Sequence, residues 1–255
     1  MRLDEEYCLS EYVDLGRLGD NEKVHIVRNQ VNGVIGVRKY VALDLEEIYL
    51  FLKENPNAYI PKIYECIQTD TNLIVIEEYL SGKNLEEMLK EKYFSEKDAA
   101  DIIICLCNAL YPLHHAKMPV ICRDLKAENV ILTNEGEVKL VDFDIARIYQ
   151  PGKSKDTVMM GTQGYAAPEQ FGFGQTDART DIYAMGVLLN YMLVREFPME
   201  KLTEGKFRTI VLKCIKINPE DRYQNVDELK ADICNAAEIP CSSMDSDKNK
   251  FYCAQ

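Results

Sequence analysis

One short segment of the chain carries three side chains whose types and spacing could perform chemistry. Asp124, Lys126 and Asn129 lie at fixed offsets inside residues 120–132, between two short runs of β-forming residues. The set combines a carboxylate that can accept a proton, an ammonium group that can neutralise negative charge, and a carboxamide that can offer an oxygen to a metal ion. This combination predicts phosphoryl-transfer chemistry.

A fourth candidate side chain follows a short way downstream. Asp142 stands in Val141-Asp142-Phe143-Asp144, after a predicted turn at residues 134–137 that indicates a hairpin. A carboxylate flanked by apolar residues is costly to bury without a partner, so we expect Asp142 to have one. The alternative is a solvated carboxylate in a turn.

These segments, and two that follow them, resemble the motifs of the Hanks-type, or eukaryotic-like, Ser/Thr protein kinases. Residues 122–129 are similar to the catalytic loop H-R-D-x-x-x-x-N, with Cys122 where the family usually has His, and Asp142 opens a D-F-D version of D-F-G. Residues 161–169 resemble the end of an activation segment with its A-P-E, and residues 181–186 resemble the start of the helix beneath it. The resemblance covers residues 12–232 and is closest to compact bacterial members.

The resemblance implies a role for each candidate side chain. Asp124 would be the base that orients and deprotonates a hydroxyl, and Lys126 would steady the γ-phosphate of ATP. Asn129 and Asp142 would bind Mg²⁺, with Mn²⁺ as an alternative, and the cation would neutralise charge on the transferring phosphoryl group. The resemblance also implies a buried, structural ion pair between Glu169 of the A-P-E and an arginine downstream, Arg222.

The glycine-rich hairpin of the family is degenerate in this chain. Aligning Val24 with the Val of G-x-G-x-x-G-x-V leaves only Gly19 at a glycine position. A turn at Asn32-Gly33, between alternating runs, still predicts a hairpin. Gly19 and Val24 are therefore the residues that would cover the nucleotide.

Two adjacent cations compete for the role of the phosphate-binding lysine. Lys39 shares a strand face with Val37, as the family's lysine shares one with the residue that lines the adenine site. Arg38 would point to the other face, which favours Lys39 as the ligand of the α- and β-phosphates. Arg38 is the alternative.

A helix with a carboxylate for Lys39 is predicted next. Apolar residues recur at helical spacing until Asn55-Pro56 ends the run, namely Leu45, Ile48 and Leu52. The resemblance makes this the family's αC helix and implies that one of its glutamates pairs with Lys39. Glu47 is preferred over Glu46. The alternative is that both are solvated.

A β-rich run at residues 73–76 leads into a segment that resembles the adenine-binding hinge. Glu77 then stands at the gatekeeper position, where the family usually has an apolar residue or Thr. Glu78 and Leu80 are the predicted adenine contacts.

The implied fold is α+β, the bilobal protein-kinase fold. Residues 1–79 would form a small β-rich N-lobe with αC and the hinge at its end. Residues 80–238 would form a larger, mostly helical C-lobe, and residues 239–255 a polar, flexible tail.

Composition narrows the function classes. A net charge of −12 argues against a nucleic-acid or anionic-membrane partner. The longest apolar stretch, near residues 187–194, is far shorter than the ~20 residues of a membrane span. No secretory signal is visible at residues 1–6, and the nine Cys contain no C-x-x-C pair, so a reduced, cytoplasmic protein is expected.

The predicted function is ATP-dependent phosphorylation of Ser or Thr on protein substrates, with autophosphorylation. A phosphate on Thr157, or on Ser154, would pair with Arg123 and order the polar stretch around residues 151–157. The alternative there is a constitutively ordered loop beside a solvated Arg123. Alternative functions are a pseudokinase that binds nucleotide and acts as a scaffold, and a small-molecule phosphotransferase. The substrate and the oligomeric state are not predicted.

Overall fold

The computed structural model describes residues 3–19, 22–150, 161–172 and 174–240. The chain forms two compact units, which divide after Ser81. The sequence places this boundary after residue 79. The predicted tail falls almost wholly on residues 241–255, outside the described part of the chain.

The first unit is built on a five-stranded antiparallel sheet in the order β1-β2-β3-β5-β4. Its elements are the helix α1 (Leu3–Ser10), the strands β1 (Tyr12–Arg17), β2 (Val24–Asn29) and β3 (Ile35–Val41), the helix α2 (Glu46–Glu54), and the strands β4 (Ile63–Gln68) and β5 (Leu73–Glu78). β5 is buried over Leu73–Glu77 and is paired with β3 on one side and β4 on the other. The hairpin predicted around Asn32-Gly33 is confirmed as β2–β3, with Gly33 at φ 75°.

The predicted αC helix is confirmed as α2. Leu45 precedes it in a 3₁₀ turn, and Ile48, Tyr49 and Leu52 bury one face of the helix. α2 packs on β4. It ends where the N–H of Asn55 bonds to the carbonyl of Phe51, directly before Pro56.

The second unit is mostly helical. Its helices are α3 (Leu85–Glu91), α4 (Glu96–His114), α5 (Ala178–Val194), α6 (Lys206–Cys214) and α7 (Val226–Ala237). Its strands are short: β6 (Gly82–Asn84), β7 (Val120–Ile121), β8 (Val130–Thr133), β9 (Val138–Leu140) and β10 (Arg147–Ile148). In the described part of the chain, no helix combines the length and apolar character needed to cross a bilayer.

The long helix α4 forms the centre of the second unit. It begins at Ser95, whose side chain accepts the N–H of Asp98 while the Asp98 carboxylate accepts the N–H of Ser95. Most of its residues are buried, and it packs against α5 and α7. The packed helices form the base on which the short strands and loops of the site lie.

The hairpin β8–β9 places two candidate site residues side by side. Val130 pairs with Leu140, and the turn at the far end contains Gly136 at φ 83°. The N–H of Val141 donates to the carbonyl of Asn129 at 2.9 Å. Asn129 and Asp142 therefore lie at the same end of the hairpin, where the sequence predicts them to act together.

Candidate active site

The catalytic loop runs from β7 through a 3₁₀ turn at Ala127–Asn129 into β8. Leu125 and Ala127 are fully buried, whereas Asp124 and Lys126 keep partial access to solvent. Leu125 and Ala127 therefore anchor the loop in the core, while the side chains of Asp124 and Lys126 remain accessible.

The Asp124 carboxylate is held by three side chains. The Thr162 hydroxyl donates to its Oδ1 at 2.7 Å, and Lys126 Nζ lies 2.8 Å from its Oδ2. Asn129 Nδ2 also donates to Oδ2, at 3.0 Å. Lys126 Nζ in turn donates to Thr162 Oγ1 at 3.0 Å, which closes a triangle of hydrogen bonds. Both carboxylate oxygens are therefore fixed in direction.

Thr162 joins the site from residues 161–169, the segment that resembles the end of an activation segment, and the sequence does not predict its contact with Asp124. That segment is packed by aromatic rings. Tyr165 contacts Phe197 edge-on at 5.3 Å, and Phe197 stacks on Tyr191 at 5.2 Å. Gly164 has φ 91°, and a Cβ there would lie 2.8 Å from the Phe197 ring, so the close approach requires glycine.

Asn129 and Asp142 fit a Mg²⁺ site. The Asn129 amide nitrogen donates to Asp124, which leaves its oxygen as the metal-binding atom. Asp142 accepts the N–H of Asp144 at 3.1 Å on one oxygen, and a carboxylate has further lone pairs. The described residues contain no group of three or more His, Cys, Asp or Glu that could hold a metal. A cation here would complete its shell with phosphate oxygens and water, as Mg²⁺ commonly does.

Two residues of the site hold a backbone conformation that is unfavourable outside glycine. Arg123 and Asp142 both have φ 68°, at a cost of about 1–3 kcal/mol each. At Arg123 the surroundings enforce it. The N–H groups of Cys122 and Arg123 donate to the two oxygens of Asp181 at 3.0 and 2.8 Å, and Gln170 Nε2 donates to the Arg123 carbonyl at 2.9 Å.

Asp181 and its neighbour His114 support the catalytic loop from below. Asp181 is fully buried in the first turn of α5, and His114 Nε2 lies 2.8 Å from its Oδ2. The sequence predicts the motif that begins at Asp181 but not its contact with the catalytic loop. Arg123 is buried rather than solvated, which corrects the alternative considered for its loop. Thr157 and Ser154 lie outside the described residues.

Cys122 stands where the family usually has His. The side chain is buried, and burial raises the pKa of the thiol well above its usual value. The contact this position makes to Asp181 comes from the backbone N–H, which any residue except proline supplies.

The predicted Glu169–Arg222 ion pair is confirmed. Two parallel hydrogen bonds of 2.7 and 2.8 Å join the side chains, which are 6% and 0% exposed. The Thr180 hydroxyl donates to Glu169, and the remaining guanidinium N–H groups donate to backbone carbonyls, including that of Lys216 at 2.7 Å. A buried pair satisfied on every side anchors the end of the segment that carries Thr162.

In the first unit, Lys39 is paired with Glu77. Lys39 Nζ lies 2.5 Å from Glu77 Oε1, whereas Glu47 is exposed on α2. This corrects the prediction that Glu47 is the partner of Lys39. Helical periodicity ranks the faces of α2, but it does not show which carboxylate of the unit reaches the lysine.

The strand register separates Lys39 from Arg38. Val37 and Lys39 share one face of β3, and Val37 is buried. Arg38, on the other face, pairs with Asp14 at 2.5 Å. Arg38 is therefore engaged elsewhere, and the role of Lys39 as the phosphate ligand stays a prediction.

The other residues predicted to contact the nucleotide lie on or beside the strands of the first unit. Val24 is opposite Lys39 in the β2–β3 ladder, and Gly19 lies between β1 and β2 at φ 68°. Glu78 ends β5, its N–H donates to the Lys62 carbonyl at 2.8 Å, and its carboxylate accepts the Lys62 N–H. The adenine contacts of Glu78 and Leu80 stay predictions.

Comparison with known proteins agrees with this geometry. Residues 29–248 match the protein kinase domain family. The chain belongs to the protein kinase family. It is 32% identical over 192 residues to a probable serine/threonine-protein kinase PknB of Corynebacterium glutamicum, covering 62% of this chain and 29% of that protein. It is 28% identical over 272 aligned positions to the serine/threonine-protein kinase PknB of Mycobacterium tuberculosis, covering 91% of this chain and 43% of that kinase.

The family assignment confirms the predicted Hanks-type membership and the α+β protein-kinase fold, with a β-rich first unit and a mostly helical second unit. A third relative, a probable serine/threonine-protein kinase of Clostridium perfringens, is 32% identical over 191 residues, which are 65% of this chain and 27% of that protein. The chain thus spans less than half the length of these curated relatives.

Proposed function

We propose that this kinase domain transfers the γ-phosphoryl group of ATP to Ser or Thr hydroxyls of protein substrates. The observation that carries the proposal is the Asp124 carboxylate, held in one orientation by Thr162, Lys126 and Asn129. A base fixed before the substrate arrives needs no reorganisation when the hydroxyl attacks.

Each side chain of the site has a place in this reaction. Asp124 accepts a hydrogen bond from the substrate hydroxyl, because each carboxylate oxygen can accept more than one. Lys126, already beside Asp124, places its positive charge next to the γ-phosphate. Mg²⁺, held by Asn129 and Asp142, would neutralise charge on the phosphates. Lys39 binds the α- and β-phosphates.

The preference for Ser and Thr has two supports. The relatives reported above are named serine/threonine-protein kinases. The family resemblance also implies this preference, through Lys126 two positions after the base and through Thr162. Autophosphorylation on Thr157, or on Ser154, is part of the proposal.

The presence of Cys122 is a weaker argument for the pseudokinase alternative once its contacts are considered. Cys122 stands in the family's His position, but the position contributes a backbone N–H to Asp181. The degenerate glycine hairpin, and Asp144 in place of the glycine of D-F-G, remain arguments for a pseudokinase. A phosphotransfer assay decides between the two functions.

The assay compares the wild-type chain with Asp124→Asn and Asp142→Asn, using labelled ATP, Mg²⁺ and a generic protein acceptor. We expect both variants to lose about 10²–10⁴-fold in rate, because each removes a charge that the reaction uses. Asp70→Asn, an exposed turn carboxylate, is the matched control and should retain wild-type activity. Phosphoamino-acid analysis of the product should show phosphoserine or phosphothreonine.

Three outcomes would contradict the proposal. Near wild-type turnover in Asp124→Asn would remove the base from the mechanism. Nucleotide binding without transfer by the wild-type chain would indicate a pseudokinase. Phosphorylation of small hydroxyl compounds in preference to protein would indicate a small-molecule phosphotransferase.

A further inference from the structure

The carboxylate that holds Lys39 comes from the sheet and not from a helix. Lys39 Nζ and Glu77 Oε1 are 2.5 Å apart, and the side chains are only 14% and 8% exposed. Either charge would be costly to bury alone, so each stabilises the other in place. The Glu77 carboxylate is a fixed neighbour of the lysine ammonium.

Strand register produces this contact. In the antiparallel pair β3–β5, Val37 is opposite Glu77 and Lys39 is opposite Val75. Lys39 and Glu77 are thus diagonal neighbours on one face, a separation that two long side chains can bridge. β5 lies between β3 and β4, and its backbone is hydrogen-bonded on both sides. The carboxylate is therefore carried by an interior strand of the sheet.

The helix α2, which the family resemblance implies should supply the partner of Lys39, offers no comparable carboxylate. Glu47 is exposed on α2, and Glu46 occupies a neighbouring, partly exposed position. α2 packs mainly on β4, whereas the Lys39–Glu77 pair lies between β3 and β5. A displacement of α2 would leave the β3–β5 register, and with it the Lys39–Glu77 pair, unchanged.

We propose that Glu77 is the positioning residue for Lys39, in the role expected of Glu47, and that the pairing does not depend on the position of α2. The inference rests on the proposed function, in which Lys39 binds the nucleotide phosphates. An ammonium group has three N–H donors, so Lys39 can bond to Glu77 and still donate to phosphate oxygens. Glu77 fixes the direction from which the ammonium approaches them.

Three carboxamide variants test the proposal. Glu77→Gln removes the charge of the proposed partner, and Glu47→Gln removes that of its rival. Glu65→Gln is the matched control, since Glu65 lies on the adjoining strand β4 and pairs with Lys53 at 2.9 Å. The measurements are kcat and KM for ATP, with a generic protein acceptor.

We expect kcat/KM for ATP to fall by about a hundredfold in Glu77→Gln, because a displaced phosphate ligand costs about that much. Glu47→Gln should lose less than Glu77→Gln, Glu65→Gln should match wild type, and Glu77→Asp should recover part of the loss. A loss in Glu47→Gln that equals or exceeds the loss in Glu77→Gln would overturn the proposal.

A second readout does not require activity. The rate at which an amine-reactive ester labels Lys39, followed by mass spectrometry across pH, has a midpoint set by the neighbouring charge. Removal of a partner carboxylate favours the neutral amine, so the midpoint should move to lower pH in Glu77→Gln and stay unchanged in Glu47→Gln and Glu65→Gln. A shift in Glu47→Gln alone would overturn the proposal.

The labelling profile also separates the two proposals. If the wild-type chain transferred no phosphate, the proposed function would fail, and the midpoints would still show which glutamate holds Lys39. If Glu77→Gln did not fold by circular dichroism, the Glu47→Gln profile would decide: an unchanged midpoint supports Glu77, and a lowered one refutes it.

Discussion

The catalytic loop around Asp124 and the strand β3, which carries Lys39, hold their charged side chains by different means. Asp124 is fixed by a neighbour in its own loop, Lys126, and by Thr162 from a segment far along the chain. Lys39 is fixed by a residue of the adjoining strand, Glu77. The first arrangement depends on the tertiary fold of the second unit, and the second depends on the register of one strand pair.

This difference indicates how each region tolerates departure from the family pattern. Around Asp124 the side chains interlock, and the loop backbone is strained and anchored to Asp181. A change there disturbs several contacts at once. In the first unit, one sheet supplies both lysine and carboxylate, so a departure in the helix or the glycine hairpin leaves the pair intact. We expect substitutions in the second unit to have the larger effects.

The largest stability effect is expected at the buried ion pair. Arg222→Met would leave Glu169 without its counter-charge in a site that is 6% exposed and lower stability by about 3–5 kcal/mol. Urea unfolding measures the change. The double variant Glu169→Gln/Arg222→Met should be more stable than Arg222→Met, because it removes the uncompensated charge. A loss below about 1 kcal/mol, the value of an exposed pair, would show that the second unit does not depend on this anchor.

A smaller effect is expected at Thr162. Thr162→Val keeps the shape of the side chain but removes the hydroxyl that links Asp124 to Lys126. A hydrogen bond to a charged group contributes about 1.5–3 kcal/mol, so kcat should fall roughly 10- to 150-fold. Thr162→Ser retains the hydroxyl and should retain most activity. If Val and Ser variants behaved alike, the closed triangle would have no part in orienting the base.

Local patterns explain which features could be predicted from the sequence. The spacing of Asp124, Lys126 and Asn129 and the turn at residues 134–137 are short-range signals, and they define the catalytic loop and the β8–β9 hairpin. The two-residue period of a strand likewise separates Lys39 from Arg38. Each of these conclusions needed only residues that are close in the chain.

Contacts between distant segments could not be predicted in the same way. Thr162 meets Asp124 across 38 positions, and Asp181 meets Arg123 across 58. No periodicity encodes such distances. The prediction that Glu47 pairs with Lys39 was wrong for a related reason. The family pattern indicates a helix as the source of the carboxylate. The contact that forms instead, between Lys39 and Glu77, depends on the register of β3 and β5, which the sequence does not show.

The smallest effect is expected in the glycine hairpin, at Gly19. Its φ of 68° is unfavourable for a residue with a Cβ, so Gly19→Ala should lower the stability of the chain by about 1 kcal/mol. Asn tolerates this conformation better than Ala, and Gly19→Asn is therefore the control for backbone strain. Because Lys39 is held by the sheet, KM for ATP should change little in either variant. A loss of kcat/KM in Gly19→Ala as large as that of Glu77→Gln, without a matching loss of stability, would show that the hairpin and not the strand β3 positions the phosphates.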